Sequence, residues 1–189
     1  MNLSPDEVLT TTRAVRKRLD YDRPVDPETD RAMFDDCPAG AERKQPTGLA
    51  VRGDRRSRRT RKSVGAVPRV LRGSSAQYLA DTMHRAPYLL IPVAEGRAER
   101  LSRTEQQAAF WGSVTPALWS FMLAARARGL GTAWTTLHLV YEKEVADILG
   151  IPYERYTQIA LTPIAQTIGT DFKPAAREPL ESVTHWDHW

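Results

Sequence analysis

Amphipathic helical stretches alternating with short apolar strands predict a layered domain of the α/β or α+β class. Three stretches carry the prediction. YLLIPVA (88–94) is a continuous apolar run short enough for a strand covered on both faces. TEQQAAFWGSVTPALWSFMLAARARGLG (104–131) is a long helix with Phe110, Val114, Ala117, Trp119, Phe121 and Leu123 on its apolar faces and Gly129 at the position after its C-cap. YTQIALTPIA (156–165) is a second strand.

The remaining elements follow in order. Ser4 before Pro5, with Asp6 and Glu7 behind it, has the cap, the first-turn proline and the acidic first turn of a helix over Pro5 to Thr11. Arg13, Arg16, Lys17 and Arg18 stand just past its end. SSAQYLADTMHRAP (74–87) is an amphipathic helix stopped before Pro87. Pro116 predicts a kink or a late start in the long helix. TAWTTLHL (132–139) is expected as a strand, and YEKEVADILG (141–150) as a helix closed by Gly150. DFKPAAREPLESVTHWDHW (171–189) is rich in proline and aromatic residues and is not expected to fold by itself.

With 189 residues, 41% of them hydrophobic, the chain suits one domain with a real core. Its net charge of +4 has one origin. Residues 30–73 hold 12 Lys and Arg against 5 Asp and Glu, a balance of +7, so the remainder carries −3. The N-terminal MNLSPDEVLTTTRAV has no apolar signal-peptide core, and no apolar run approaches the roughly 20 residues of a membrane span, so a cytoplasmic location without a membrane partner is expected. A single cysteine, Cys37, excludes an internal disulfide and any cysteine-only metal site. His84, His138, His185 and His188 show no metal-ligand spacing, and no metal is expected.

Several blocks together carry a resemblance: TTRAVRKRLDYDRPV near the start, HRAPYLLIP and FWGSVTPALWSFMLAARARGLGTAWTTLHL in the middle, then VADILGIP and the closing DFKPAAREPLESVTHW. Over residues 1–29 and 74–189 the chain resembles the FMN-dependent nitroreductase family, in the form common in actinobacteria. The resemblance implies an α+β fold with a central mixed sheet flanked by helices. It further implies a homodimer with FMN at the interface, and hydride transfer from NADH or NADPH through the flavin to a small-molecule acceptor such as a nitroaromatic or a quinone. By the same resemblance Arg13, Arg16 and Lys17 correspond to the family's basic motif for the flavin phosphate and ribityl chain. Gly129, Leu130, Gly131 and Thr132 match its GLGT turn, where glycine permits close approach of backbone to flavin. Arg177 matches a C-terminal arginine that reaches the phosphate. Ala14 stands where many relatives have serine. No catalytic acid, base or nucleophile is named, because the flavin carries the chemistry.

Residues 30–73 interrupt this likeness. The family there carries a helix, a loop of the type APSGSNQQ and a strand such as GWQFVVI, whereas this chain has an arginine-rich stretch that includes LAVRGDRRSRRTRKSVGAVPRV (49–70). The genetic code offers an explanation. LAVRGDRR can be encoded CTG GCA GTT CGT GGT GAT CGA CGA, which one base later reads WQFVVID. Carried back to Asp30 and forward to Leu71, the shifted frame permits IERCSTIAQRAPSGSNQQGWQFVVIDD and PDARAKASALYRAYC. Where codons leave little freedom the shift still agrees, since Met33 and Phe34 force Cys, and Asp36 with Cys37 allows only Ile or Thr. The segment is therefore read as out of frame from about Thr29 to about Gly73, and is expected to be irregular, without a strand over Leu49–Gly53 in the sheet interior. A genuine insertion or a basic tail is the alternative.

Two other function classes fit parts of the chain. Arg55, Arg56, Arg58, Arg59, Arg61 and Lys62 beside Trp111, Trp119, Trp134, Trp186 and Trp189 could make a nucleic-acid-binding module. Helical spacing among apolar neighbours places Trp111 and Trp119 in the core instead, and no nucleic-acid partner is expected. A non-catalytic flavin-binding or scaffold paralogue is the second alternative.

Overall fold

The computed structural model describes residues 2–26, 28–29, 32, 47–52 and 75–189. Helix α1, Pro5–Thr11, starts as its sequence dictates: the Ser4 hydroxyl accepts from the Glu7 N–H, and the Glu7 carboxylate accepts from the Ser4 N–H. The other helices are α2 (Ser75–Thr82), α3 (Thr104–Ala127) and α4 (Glu142–Leu149). Strands are β1 (Leu19–Asp20), β2 (Thr47–Arg52), β3 (Tyr88–Glu95), β4 (Leu130–Thr132), β5 (Tyr156–Gln158) and β6 (Thr162–Thr167).

These six strands form one sheet along the path β1, β6, β3, β2, with β4 added to β6 and β5 to β3. The α+β class is as expected, but every pairing among the described residues is antiparallel, where a mixed sheet was expected.

Strand β3 is the centre, buried along all but its last residue. Leu89, Ile91 and Val93 face one apolar cluster with Leu79, Met83 and Val145, so α2 and α4 cover that side. Tyr88 and Leu90 face the other with Leu118, Phe121 and Met122, so α3 covers the opposite side. The period-2 alternation of a strand thus serves two helical layers at once.

Strand β2 corrects the expectation that residues 30–73 are irregular throughout. It pairs with β3 from Thr47 opposite Val93 to Arg52 opposite Tyr88, while β6 and β5 share the other edge of β3. A buried strand must pair the backbone groups of both edges. TGLAVR is a run within 30–73 free of charge until its last residue and carries β-favouring Thr and Val. Among the described residues β2 pairs on one side only, so it lies at an end of the sheet. Most of 30–73, including Arg55, Arg56, Arg58, Arg59, Arg61, Lys62, Cys37 and Gly53, falls outside the described residues.

Three further expectations need correction. TAWTTLHL is not one strand: β4 ends at Thr132, Thr135 makes an isolated bridge to Leu161, and Leu137–Tyr141 is a 3-10 turn. YTQIALTPIA divides into β5 and β6. Trp111 and Trp119 are 37% and 42% exposed rather than in the core. The buried face of α3 runs through Val114, Leu118, Phe121, Met122 and Ala125; Trp111 lies on the same stripe one turn before Val114, near the start of the helix, and Trp119 lies beside it. Pro116 lies inside α3, which runs unbroken on both sides of it. At 24 residues α3 is long and apolar enough to cross a bilayer by length and composition, but here its apolar stripe packs on the sheet.

Candidate functional site

Three segments distant in sequence meet at one end of the sheet: 12–18 after α1, 129–132 after α3, and 168–172 after β6. Gly129 ends α3 with a φ of 80°, the left-handed conformation that glycine adopts freely, and the chain passes at once into β4. The Val15 N–H donates to the Thr132 carbonyl at 2.8 Å, which lays the basic segment along β4. A Cβ on Gly131 would come within 2.6 Å of Leu19 Cδ2, 2.9 Å of Thr167 Cγ2 and 3.2 Å of Val15 Cβ. Glycine at 131 therefore lets β4 approach the protein's own chain, a packing duty independent of any ligand. Leu130 and Thr132 are buried beside it.

The third segment is fastened by Arg18. Its Nε donates to the Ile168 carbonyl at 2.7 Å, a terminal nitrogen pairs with Asp171 at 2.5 Å, and its own carbonyl accepts from the Ile168 N–H at 2.8 Å. Asp171 is held below the usual carboxylate range, chiefly by this hydrogen bond. Arg126, almost fully buried, lies alongside, with a terminal nitrogen 3.2 Å from the Thr11 hydroxyl and 3.4 Å from the Thr170 carbonyl. Burial, with the nearby charge of Arg18, lowers its pKa.

The expected site residues are thus brought partly together. Arg13 and Lys17 are exposed and Arg16 half-buried, all on the segment pinned to Gly129–Thr132. Arg177 is exposed on the arm beyond Phe172. Among the described residues none of these four cations forms an ion pair, whereas Arg18, Arg85, Arg97, Arg100, Arg103 and Arg155 all do. Adjacent cations without carboxylates suit an anionic ligand group such as a phosphate. The phosphate end of a flavin mononucleotide therefore fits the residues present. Of positions 40–47, aligned with the loop expected over the ring, 40–46 lie outside the described residues and Thr47 begins β2.

Sequence reasoning missed Arg126 and Phe172. The signal for Arg126 was an arginine one residue after Ala125 on the buried stripe of α3. Phe172 gave none, because its arginine partners lie 154 and 46 positions earlier in the chain. A further buried group is His138, 1% exposed, with neither ring nitrogen hydrogen-bonded. Burial pushes its pKa down from 6.5 to about 4. The folded state disfavours the proton, so stability is complete above about pH 6.5 and is lost as pH falls from there toward 4. The loss should be about 3 kcal/mol by urea denaturation, and His138→Leu should flatten the slope.

The nitroreductase family pattern matches residues 11–165. No curated protein matches the chain by sequence. Solved structures do match in fold. A protein from Desulfovibrio desulfuricans, described as a nitroreductase in complex with FMN, is 16% identical, with a TM-score of 0.71 over 100% of this chain and 99% of that one. A nitroreductase-like family protein from Bacillus cereus is 17% identical, with a TM-score of 0.74 over 98% and 97%. A Bacteroides thetaiotaomicron protein described as an NADH dehydrogenase/NAD(P)H nitroreductase is 14% identical, with a TM-score of 0.70 over the whole of both chains. The family match spans most of the chain, from the basic segment through β6, so this protein belongs to the nitroreductase family of oxidoreductases.

Proposed function

We propose that the chain is a flavin-dependent oxidoreductase that carries FMN and passes hydride from NADH or NADPH to a small acceptor such as a nitroaromatic or quinone, as a cytoplasmic homodimer. Family membership and the FMN complex of the Desulfovibrio relative support the cofactor. The observation that carries the reading is the cluster Arg13, Arg16 and Lys17, free of acidic partners among the described residues and pinned to β4 through Val15. When bound, FMN supplies a ring that accepts hydride from the nicotinamide and donates it to the acceptor. The protein's part at this end is to bind the phosphate with Arg13, Arg16, Lys17 and Arg177. Leu130–Thr132, held by β6 and Val15, form a fixed floor beside them. Trp111 and Trp119, exposed on α3, support a second copy as partner.

Titration of the chain with FMN and with riboflavin, followed by tryptophan fluorescence, tests the reading. Arg13→Ala should weaken FMN about tenfold or more and leave riboflavin unchanged, because a hydrogen bond to a charged group contributes about 1.5–3 kcal/mol. Equal losses for both ligands would refute the phosphate assignment. FMN binding without NADH or NADPH consumption would leave a non-catalytic flavin-binding protein.

A further inference from the structure

Two guanidinium groups lie against one phenyl ring where the C-terminal arm leaves the core. Arg18 Cζ is 4.4 Å and Arg126 Cζ 4.7 Å from the centre of the Phe172 ring. Phe172 is 9% exposed and packs in the same apolar cluster as Val15 and Leu19. Arginines of like charge gain from a shared aromatic face, since the negative face of the ring offsets their repulsion. The burial of Arg126 raises the value of that offset, because charge interactions strengthen away from water.

The position of this stack matters. Arg18 directly follows Lys17, and Phe172 precedes Arg177 by five residues. One stack therefore fixes the root of both cation-bearing segments, and it limits Arg177 to within about 18 Å of Phe172. Beyond Phe172 the arm has little regular structure besides the turn Leu180–Ser182.

We propose that Arg18, Phe172 and Arg126 form a clasp that positions the phosphate-binding cations, making them positioning residues for recognition of the cofactor's phosphate. The inference rests on the FMN reading above. Its cost on failure is specific: without the ring, the arm and the segment 13–18 lose their common anchor, and phosphate selectivity falls while the ring-binding part of the site is untouched.

The test uses the full chain and two substitutions that keep apolar volume and remove the aromatic face, Phe172→Leu and Phe172→Met. Dissociation constants are measured for FMN and riboflavin by tryptophan fluorescence, with thermal melts alongside. In both variants FMN should weaken about tenfold and riboflavin change by less than about twofold. Phe172→Tyr, which keeps the ring, should match the parent. A purely structural role would weaken both ligands in parallel, and that result overturns the clasp, as does unchanged preference for FMN. A parent chain that binds FMN no better than riboflavin overturns the phosphate assignment itself, and the clasp with it.

Discussion

Arg97→Ala should destabilise the fold by about 3–5 kcal/mol in urea denaturation, because it removes one partner of a buried ion pair and leaves the other uncompensated. The Arg97 side chain is 2% exposed and that of Glu142 is 14% exposed. Its guanidinium donates to both Glu142 oxygens, at 3.0 and 2.8 Å, to Glu99 at 2.7 Å, and to the Tyr153 and Tyr156 carbonyls at 3.2 and 2.7 Å. It also lies 3.9 Å from the centre of the Tyr153 ring. Burial opposes its charge, but the hydrogen bonds it donates to Glu142 and Glu99 outweigh burial and raise its pKa. Removing it strands two carbonyls and a carboxylate together.

The position explains the size of the effect. Arg97 follows the end of β3 and ties it to the first residue of α4 and to β5. Glu142 in turn accepts from the Gln158 N–H at 2.8 Å. The double variant Arg97→Met/Glu142→Gln should recover part of the loss, since it keeps the acceptor for Gln158 and removes both charges together. A loss below about 1 kcal/mol for Arg97→Ala would show that the pair does not hold this corner.

How much of this was legible from the sequence depends on the range of the interactions. Helix α1 was readable to the residue because Ser4, Pro5 and Glu7 act within one turn. The end of α3 was readable because Gly129 acts locally. β3 was readable because a strand covered on both faces has a simple apolar signature. TAWTTLHL failed because Thr and Trp favour strands on average, whereas here Gly131 fits against Leu19 and Val15 only over three residues of sheet, after which the chain turns. Trp111 and Trp119 failed because helical spacing aligns residues with an apolar stripe without showing how far along the helix, or how widely, that stripe is covered. The Arg18–Phe172 contact was illegible for a plainer reason: nothing near either residue announces a partner some 150 positions away.

The second large effect concerns residues 30–73. The chain as it stands should bind FMN measurably but weakly, because on the proposed reading Arg13, Arg16, Lys17 and Arg177 attract the phosphate while the sequence lacks the serine and asparagine loop that the resemblance implies over the flavin. Strand β2 sharpens the test. It occupies Thr47–Arg52 against β3, and the shifted frame places WQFVVI over residues 49–54, overlapping it. The two readings therefore agree on where a strand belongs and differ in what it carries: TGLAVR ends in a charge, whereas WQFVVI has one polar residue among five large apolar ones. Full burial of side chains of that kind contributes about 1.5–3 kcal/mol each, which favours the restored strand. Rewriting Asp30–Gly73 in the shifted frame should thus give a more stable, dimeric, yellow protein that retains FMN through gel filtration, tightens FMN by at least about a hundredfold, and oxidises NADH or NADPH with a nitroaromatic or quinone acceptor. Absorbance in the visible flavin bands after gel filtration reads the first outcome directly. Stoichiometric, tight FMN in the unaltered chain would show that residues 30–73 serve the site as they are, and a colourless rewritten protein would sink the frame reading.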